Sequence, residues 1–462
     1  MPDSLRRRLG WTDGAAIVVA NVVGTGIFLT PAFIAQRVPS APAFLGLWLL
    51  GGLLALIGAL SYAELAAMKP EAGGEYVYIR DAFGPLAGFL SGWTSLVAGF
   101  SGAIAAAAVG FAVYLDRLLP GTGSTQSLVH LPLGPAGFGL DVTPRALVAL
   151  ALIALFTFVH ARGLGPGRVA QQLLAGLNIA TVLVLVVIGF LAVPATPPAV
   201  PAPITPADAS VDPGAAIVAL VLVMFTYSGW NAAAYVAGEL RDPGRSAPRA
   251  LLWGTVVVTL LYLALSLLYV RVLGMPGIAA AEATGERVVQ ALWGDSGAAL
   301  FTPLILLVLA SSVSAMVMTG PRVYFAMARD HCLPAAFGRL PGSGVPAYGI
   351  AVQAAWSAVL VLTGGFEAIL TYTGFAVVLF AGLGVAALFG LRWKQRDVSR
   401  PFRVWGYPLA PALFIAASAA MVVQSLLRAP GPSLAGLTII ALGLPVFVWM
   451  RRLGSVPGRH RP

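Results

Sequence analysis

The chain has 462 residues, of which 58% are hydrophobic and only 10% charged, with a mean hydropathy of +0.87 and a net charge of +10. A water-soluble domain carries about 25% charged residues, so a large soluble enzyme is excluded. Apolar runs of about 20 residues recur from end to end, as helices crossing a bilayer require.

Twelve spans are predicted, near 13–36, 42–68, 84–116, 145–160, 169–193, 214–240, 250–274, 297–328, 347–363, 366–391, 409–427 and 434–450. No small-residue cleavage site separates the first from the rest, so it reads as a retained span and not as a signal peptide. That first span is interrupted by glycine: Ala20-Asn21-Val22-Val23-Gly24-Thr25-Gly26-Ile27-Phe28-Leu29-Thr30-Pro31. The outer segments 117–144 and 194–213 are rich in Gly, Pro and small residues, and the second reads as an extended connector. The sixth span is interrupted like the first: Met224-Phe225-Thr226-Tyr227-Ser228-Gly229-Trp230-Asn231. A matched pair of broken helices is the best sequence pointer to the binding site of a secondary transporter.

Spans one to five and six to ten form two repeats, each opening on a broken helix. An odd number of spans per repeat places the two in opposite orientations across the membrane. The expected division is therefore a terminal segment 1–12, a first repeat 13–193, the connector 194–213, a second repeat 214–391, and spans eleven and twelve with the tail, 392–462. Of the 28 Lys and Arg residues, only Arg37, Arg117, Arg145, Arg271, Arg287 and Arg428 fall on outer segments when both termini are cytoplasmic. This positive-inside bias assigns the basicity to a cytoplasmic face and its anionic lipids, and excludes a nucleic-acid partner. Cys332, the single cysteine, lies on the inner side, so no covalently linked subunit is expected. The four histidines are scattered and no Cys/His metal spacing occurs, which disfavours an enzyme and leaves no cofactor to hold.

Seven blocks in order carry a resemblance. They are Gly24 to Phe28, Ser61-Tyr62-Ala63-Glu64-Leu65, Gly73-Gly74-Glu75-Tyr76-Val77-Tyr78-Ile79, Tyr227 to Asn231, Gly238-Glu239 with Pro243 and Pro248-Arg249-Ala250, Gly320-Pro321-Arg322 through Asp330, and Pro401-Phe402-Arg403-Val404-Trp405-Gly406-Tyr407-Pro408. Over about residues 10–410 the chain resembles the amino acid–polyamine–organocation superfamily, and within it bacterial relatives of the L-type amino acid transporters. The resemblance implies an all-α membrane fold of twelve helices with a five-plus-five inverted repeat, and transport of amino acids across a bacterial inner membrane.

An unwound turn exposes backbone groups that hydrocarbon cannot satisfy. At the first break the N–H groups of Thr25, Gly26 and Ile27 open a half-helix whose N-terminus favours a carboxylate. At the second, free carbonyls around Phe225, Thr226 and Tyr227 suit an ammonium group. Together they describe an α-amino acid. The candidate substrate-binding residues are thus Asn21, Val22, Gly24, Thr25, Gly26 and Ile27 on one break and Phe225, Thr226, Tyr227 and Ser228 on the other. The resemblance adds a gate role for Phe225 and places Asn21 and Thr25 on the substrate; Trp230 reads as structural.

No charged residue lies near the middle of any predicted span, which argues for neutral side chains and against a carboxylate proton relay. The side-chain pocket is expected from Gly99–Ala105, Ser311–Ala315 and Thr371–Gly374. In many members of the superfamily a lysine on span five stands near the first break. Here Asn178 falls at that position and favours facilitated transport or exchange over lysine-based proton coupling. Ser311 and Ser314, spaced i, i+3, are candidate ligands if sodium is the coupling ion. Glu239 with Arg249 or Arg322 is a candidate gate pair. The alternatives are a cationic amino acid or polyamine antiporter of the same fold, and a non-transporting sensor of amino acids.

Overall fold

The computed structural model describes residues 5, 7–132, 139–193, 212–342, 344–363 and 366–453. Residues 1–4, Arg6, nearly all of the expected 194–213 connector and the tail from 454 lie outside them, as do the side chains of Thr371 and Tyr372.

The helices are, in order, α1 (Trp11–Val22), α2 (Thr25–Arg37), α3 (Ala41–Met68), α4 (Glu75–Phe83), α5 (Pro85–Thr94), α6 (Ser101–Leu115), α7 (Pro144–Ala161), α8 (Leu164–Ala192), α9 (Pro213–Thr226), α10 (Ala232–Tyr235), α11 (Pro243–Ala279), α12 (Thr284–Thr319), α13 (Pro321–Arg329), α14 (Ala347–Leu362), α15 (Phe366–Lys394), α16 (Leu409–Arg428) and α17 (Pro430–Leu453). Starts are marked by local chemistry. Pro144 and Pro213 open their helices, where a missing N–H costs nothing, and Thr143 and Asp212 accept from the free N–H groups of Ala146 and Gly214.

Among the described residues nine helical segments are long and apolar enough to cross a membrane, or ten if α1 and α2, bent by 41° at their break, form one span. Two shorter apolar helices, α9 and α14, fall where the sixth and ninth spans are expected. The expected sixth span, 214–240, stops being helical at Thr226, and in the break beyond it Gly229 takes a φ of +103°, a conformation that L side chains resist. The expectation of a purely helical chain needs one amendment. Val129–Pro132 and Gly139–Val142 pair as an antiparallel two-stranded sheet within the 117–144 segment, with Val129 opposite Val142.

Two packing groups make up the centre. In one, α11 lies along α3 and α1, and α3 touches α9. In the other, α6, α7, α12 and α14 pack on one another around their own apolar core, with Ile104, Ala108, Ile153, Val313 and Val317 inside it. The α12 helix also touches α1 and α2 and so joins the groups.

Buried charge is paired at the seams between these helices. Arg322 on α13 and Glu239 are each only 1% exposed, with Nε donating to Oε1 at 2.8 Å, and Arg322 also reaches the Met318 carbonyl. Arg249, the other candidate for Glu239, is exposed. The Glu239 carbonyl in turn accepts from the N–H groups of Arg8 and Leu9, fastening the start of the chain to the end of the second break. Removing one partner of such a pair leaves an uncompensated buried charge. Arg322→Ala is expected to destabilise the fold by about 3–5 kcal/mol, read as a lowered unfolding temperature in detergent, whereas Arg249→Ala should leave it unchanged.

Candidate functional site

The two breaks cross and touch at two points. A side chain at Gly26 would meet the Cγ2 and Cα of Thr226 at 2.8 and 3.0 Å, and one at Gly229 would meet Asn21 Cβ, C and O at 2.8–3.0 Å. Glycine at 26 thus makes room for the other helix. The collision that a larger residue would cause there is with Thr226.

The freed backbone groups at this crossing find protein partners. Tyr262 on α11 donates its hydroxyl between the carbonyls of Val22, at 2.7 Å, and Thr226, at 3.2 Å, and so ties both breaks with one group. Asn178 on α8 is fully buried and donates Nδ2 to the Val23 carbonyl at 3.0 Å. Thr30 Oγ1 lies 2.7 Å from the Gly26 carbonyl and 2.8 Å from Thr226 Oγ1. The expected free carbonyls of the second break are therefore a correction. Phe225 O accepts from Ser228 N–H, Tyr227 O from Trp230 N–H, and Thr226 O from Tyr262, because the broken chain closes into turns. Thr25, Gly26 and Ile27 open α2, and their N–H groups have no partner within that helix.

The remaining sequence-predicted residues occupy distinct places. Asn21 donates Nδ2 to Ile17 O at 2.8 Å and to Thr319 Oγ1 at 3.2 Å. Gly24 packs on Ser312, Thr25 sets its methyl against Gly110, and Ile27 is buried in the core. Phe225 lies beside Gly374 on α15, and Tyr227 donates its hydroxyl to the Trp48 carbonyl. Ser311 and Ser314 do not behave as a pair. Ser314 bonds to His160 Nε2 at 2.8 Å and Gln171 Oε1 at 3.1 Å, while the Ser311 hydroxyl is without a partner. The Ser314 hydroxyl thus ties α12 to α7 and α8.

A cavity adjoins both breaks. Asn21 lines it from the first, and Ser228, Gly229, Trp230 and Asn231 from the second. Span three contributes Thr94, Ser95, Gly99, Phe100 and Ala103, most of them on a single π-helical stretch, Ser95–Phe100, that widens the helix there. Its displaced carbonyls are taken up by outside donors: Tyr324 to Ser95, Trp356 to Val97. Met316 on α12 and Ala376, Val377, Phe380 and Ala381 on α15 complete an apolar wall. Among the described residues the lining lies beyond the expected segment 311–315 and beyond Thr373 and Gly374, and Gly24 to Ile27 and Phe225 to Tyr227 do not line this cavity. No sequence period marks the π-helical stretch, so its residues were legible only as part of an apolar span.

A carboxylate from outside every predicted span nonetheless lines the cavity. Glu75, the first residue of α4, lines it while 7% exposed. Tyr62 donates to its Oε2 at 3.1 Å and Asn231 Nδ2 lies at 3.5 Å, with the hydroxyls of Tyr235 and Ser95 in hydrogen-bonding reach. Read along the chain, Glu75 belongs to a loop between spans; α4 folds it inward by packing on α5 and α15. Burial pushes the Glu75 carboxyl up from its ordinary 4.5 to about 7, against the opposing pull of Tyr62, Tyr235 and Ser95.

A family model described as amino acid permease matches residues 9–450. The large neutral amino acids transporter small subunit 2 of Homo sapiens is 28% identical over 448 residues, covering 96% of this chain and 80% of that protein. The Asc-type amino acid transporter 1 of Mus musculus is 25% identical over 451 residues, with 96% and 81% covered. The b(0,+)-type amino acid transporter 1 of Oryctolagus cuniculus is 26% identical over 415 residues, with 87% and 79% covered.

Two outcomes follow from the crossing and the carboxyl. Asn178→Leu and Tyr262→Phe each strip a donor from a buried carbonyl, and each should cost about 1–3 kcal/mol in thermal unfolding. Below pH 4.5 the stabilisation that Glu75 gains from its raised carboxyl is fully present, and it is lost as pH rises through about 7, because the folded protein holds a proton that the unfolded chain releases. Unfolding temperatures measured across that window should fall less steeply in Glu75→Gln.

Proposed function

The chain belongs to the amino acid permease family, and from that premise we propose that it carries neutral L-amino acids across the cytoplasmic membrane of a bacterium by alternating access. It is a transporter and not an enzyme. The observation that carries the reading is the crossing of two broken helices with a cavity against both. In support of twelve spans and an inverted repeat, α1, α3, α9 and α11 pack in one group and α6, α7, α12 and α14 in another, with equivalent positions of the two halves in each. The proposed repeats are 13–193 and 214–391, with 392–462 added, and the charge bias puts both termini in the cytoplasm.

The substrate backbone lies between Asn21 and Ser228–Gly229, where the cavity reaches both breaks. Its carboxylate meets the N–H groups of Thr25, Gly26 and Ile27 as the contact of Gly26 with Thr226 loosens. Its ammonium meets the carbonyl side of the second break, where each carbonyl keeps a second lone pair. Phe225, on α9 and buried beside Gly374 of α15, closes over the ligand. The neutral class rests on the apolar wall of Met316, Ala376, Val377 and Phe380 and on the similarity to the large neutral amino acids transporter small subunit 2. Asn178 holds Val23 without charge, so the span-five position contributes no proton site of its own. No covalently joined subunit is part of this reading.

Proteoliposomes preloaded with unlabelled alanine, serine, leucine or phenylalanine should take up the labelled amino acid by saturable counterflow. Absence of counterflow for every neutral amino acid would refute the assignment. Gly229→Ala presses a methyl onto the Asn21 backbone and forces alanine to a φ of +103°. It should lower that counterflow by roughly tenfold, the effect of about 1.4 kcal/mol.

A further inference from the structure

Five acidic side chains are buried among the described residues: Asp13, Glu64, Glu75, Glu239 and Glu286. Four have an arginine. Arg168 meets Asp13 at 3.1 Å, Arg392 meets Glu64 at 2.6 Å, Arg322 meets Glu239 at 2.8 Å and Arg117 meets Glu286 at 2.7 Å. Glu75 alone has no cation within ion-pair distance, and it alone lines the cavity at the breaks.

The elements packed around it explain why. On α3 the group facing it is the Tyr62 phenol, on the π-helical stretch the Ser95 hydroxyl, and on the second break and α10 Asn231 and Tyr235. Tyr78, on α4 itself, stacks edge-on against Tyr62. The cations of neighbouring helices are engaged elsewhere. On α15, Arg392 is held by Glu64 and Lys394 by the Ala82 carbonyl. On α13, Arg322 is held by Glu239, Tyr324 bonds to Gln353 and the Ser95 carbonyl, and Arg329 is exposed. Asp330, after α13, pairs with Arg80 further along α4.

A buried carboxylate without a cation is costly, and the inexpensive remedy is a proton. The surroundings suit that remedy better than they suit a bound ammonium or guanidinium. A carboxylate offers about four lone-pair directions, and Tyr62, Asn231, Tyr235 and Ser95 stand at hand to occupy them. Three of these four are hydroxyls, which donate to the ionised form and accept from the acid, so one shell serves both states.

We propose that Glu75 is a proton-binding site of the cavity, which takes a proton from water on one side of the membrane and releases it to water on the other as the cavity changes access. Each cycle then moves one proton with the amino acid, the carboxylate becoming a neutral carboxylic acid and returning. This rests on the transport reading above, and supplies the coupling that Asn178 does not.

The test uses the full-length protein in two forms. In detergent, infrared difference spectra between about pH 6 and pH 8 should show the C=O band of a protonated buried carboxyl that disappears on the alkaline side and is missing from Glu75→Gln. In proteoliposomes, an acid exterior should accelerate several-fold the initial uptake of whichever amino acid shows counterflow in the wild type. The flux that remains in Glu75→Gln, whatever its size, should not respond to the gradient. Tyr62→Phe, which removes a donor to the ionised form, should shift the band's midpoint to higher pH. Absence of the band, its persistence in Glu75→Gln, or wild-type uptake indifferent to the gradient would each overturn the proposal. So would a loss in Glu75→Gln confined to lysine or arginine uptake, which would make Glu75 a receptor for cationic side chains. A titrating band with no counterflow of any amino acid would sink the transport reading and leave the proton site standing.

Discussion

The two helix breaks cross at the buried centre of the bundle, and the backbone groups that they free need partners there. Neither hydrocarbon nor a neighbouring apolar side chain can supply one. The partners come from two other helices: Tyr262 on α11 serves Val22 and Thr226 together, and Asn178 on α8 serves Val23. The Tyr262 hydroxyl reaches both carbonyls only while the two broken helices keep their present separation. The breaks, α8 and α11 are therefore bound into one mechanical problem, and a ligand that replaces any of these bonds changes which arrangement is preferred.

Charge follows a second rule of the same kind. Wherever the fold buries a carboxylate at a seam between helices it sets an arginine against it, as at Glu64 with Arg392 and Glu239 with Arg322. These pairs lock the ends of α3, α13 and α15 and hold the start of the chain against the second break. Glu75 departs from the rule at the cavity, where phenols and a hydroxyl stand in for a cation. A locked periphery and an uncompensated acid at the cavity divide the labour between holding the fold and responding to what enters it.

Much of this was legible in the sequence. The apolar runs and the glycines of both breaks are local signals, and the seven ordered blocks point to the permease family that the family comparison then showed. The site was legible less completely. Asn21 and Ser228 line the cavity, whereas Gly24 to Ile27 and Phe225 to Tyr227 pack the crossing or flank it. Carbonyls expected to be free are closed by turns at Ser228 and Trp230, because a chain that leaves a helix makes the nearest bonds first. In the sequence Glu75 belongs to a loop, since Gly73 and Gly74 mark a turn and nothing in the local pattern says that α4 folds it inward.

By itself the sequence determined that this chain is a bundle of apolar helices, that two of them are broken, and where. Those properties depend on span length and on glycine's backbone freedom, both local. Only the tertiary structure decided what the breaks touch. The bond from Tyr262 to Val22 joins residues 240 positions apart, and that from Asn178 to Val23 joins residues 155 apart. It also decided which buried acid goes without an arginine. Such pairings depend on where helices far apart in the chain come to lie side by side, and no spacing along a single helix encodes that.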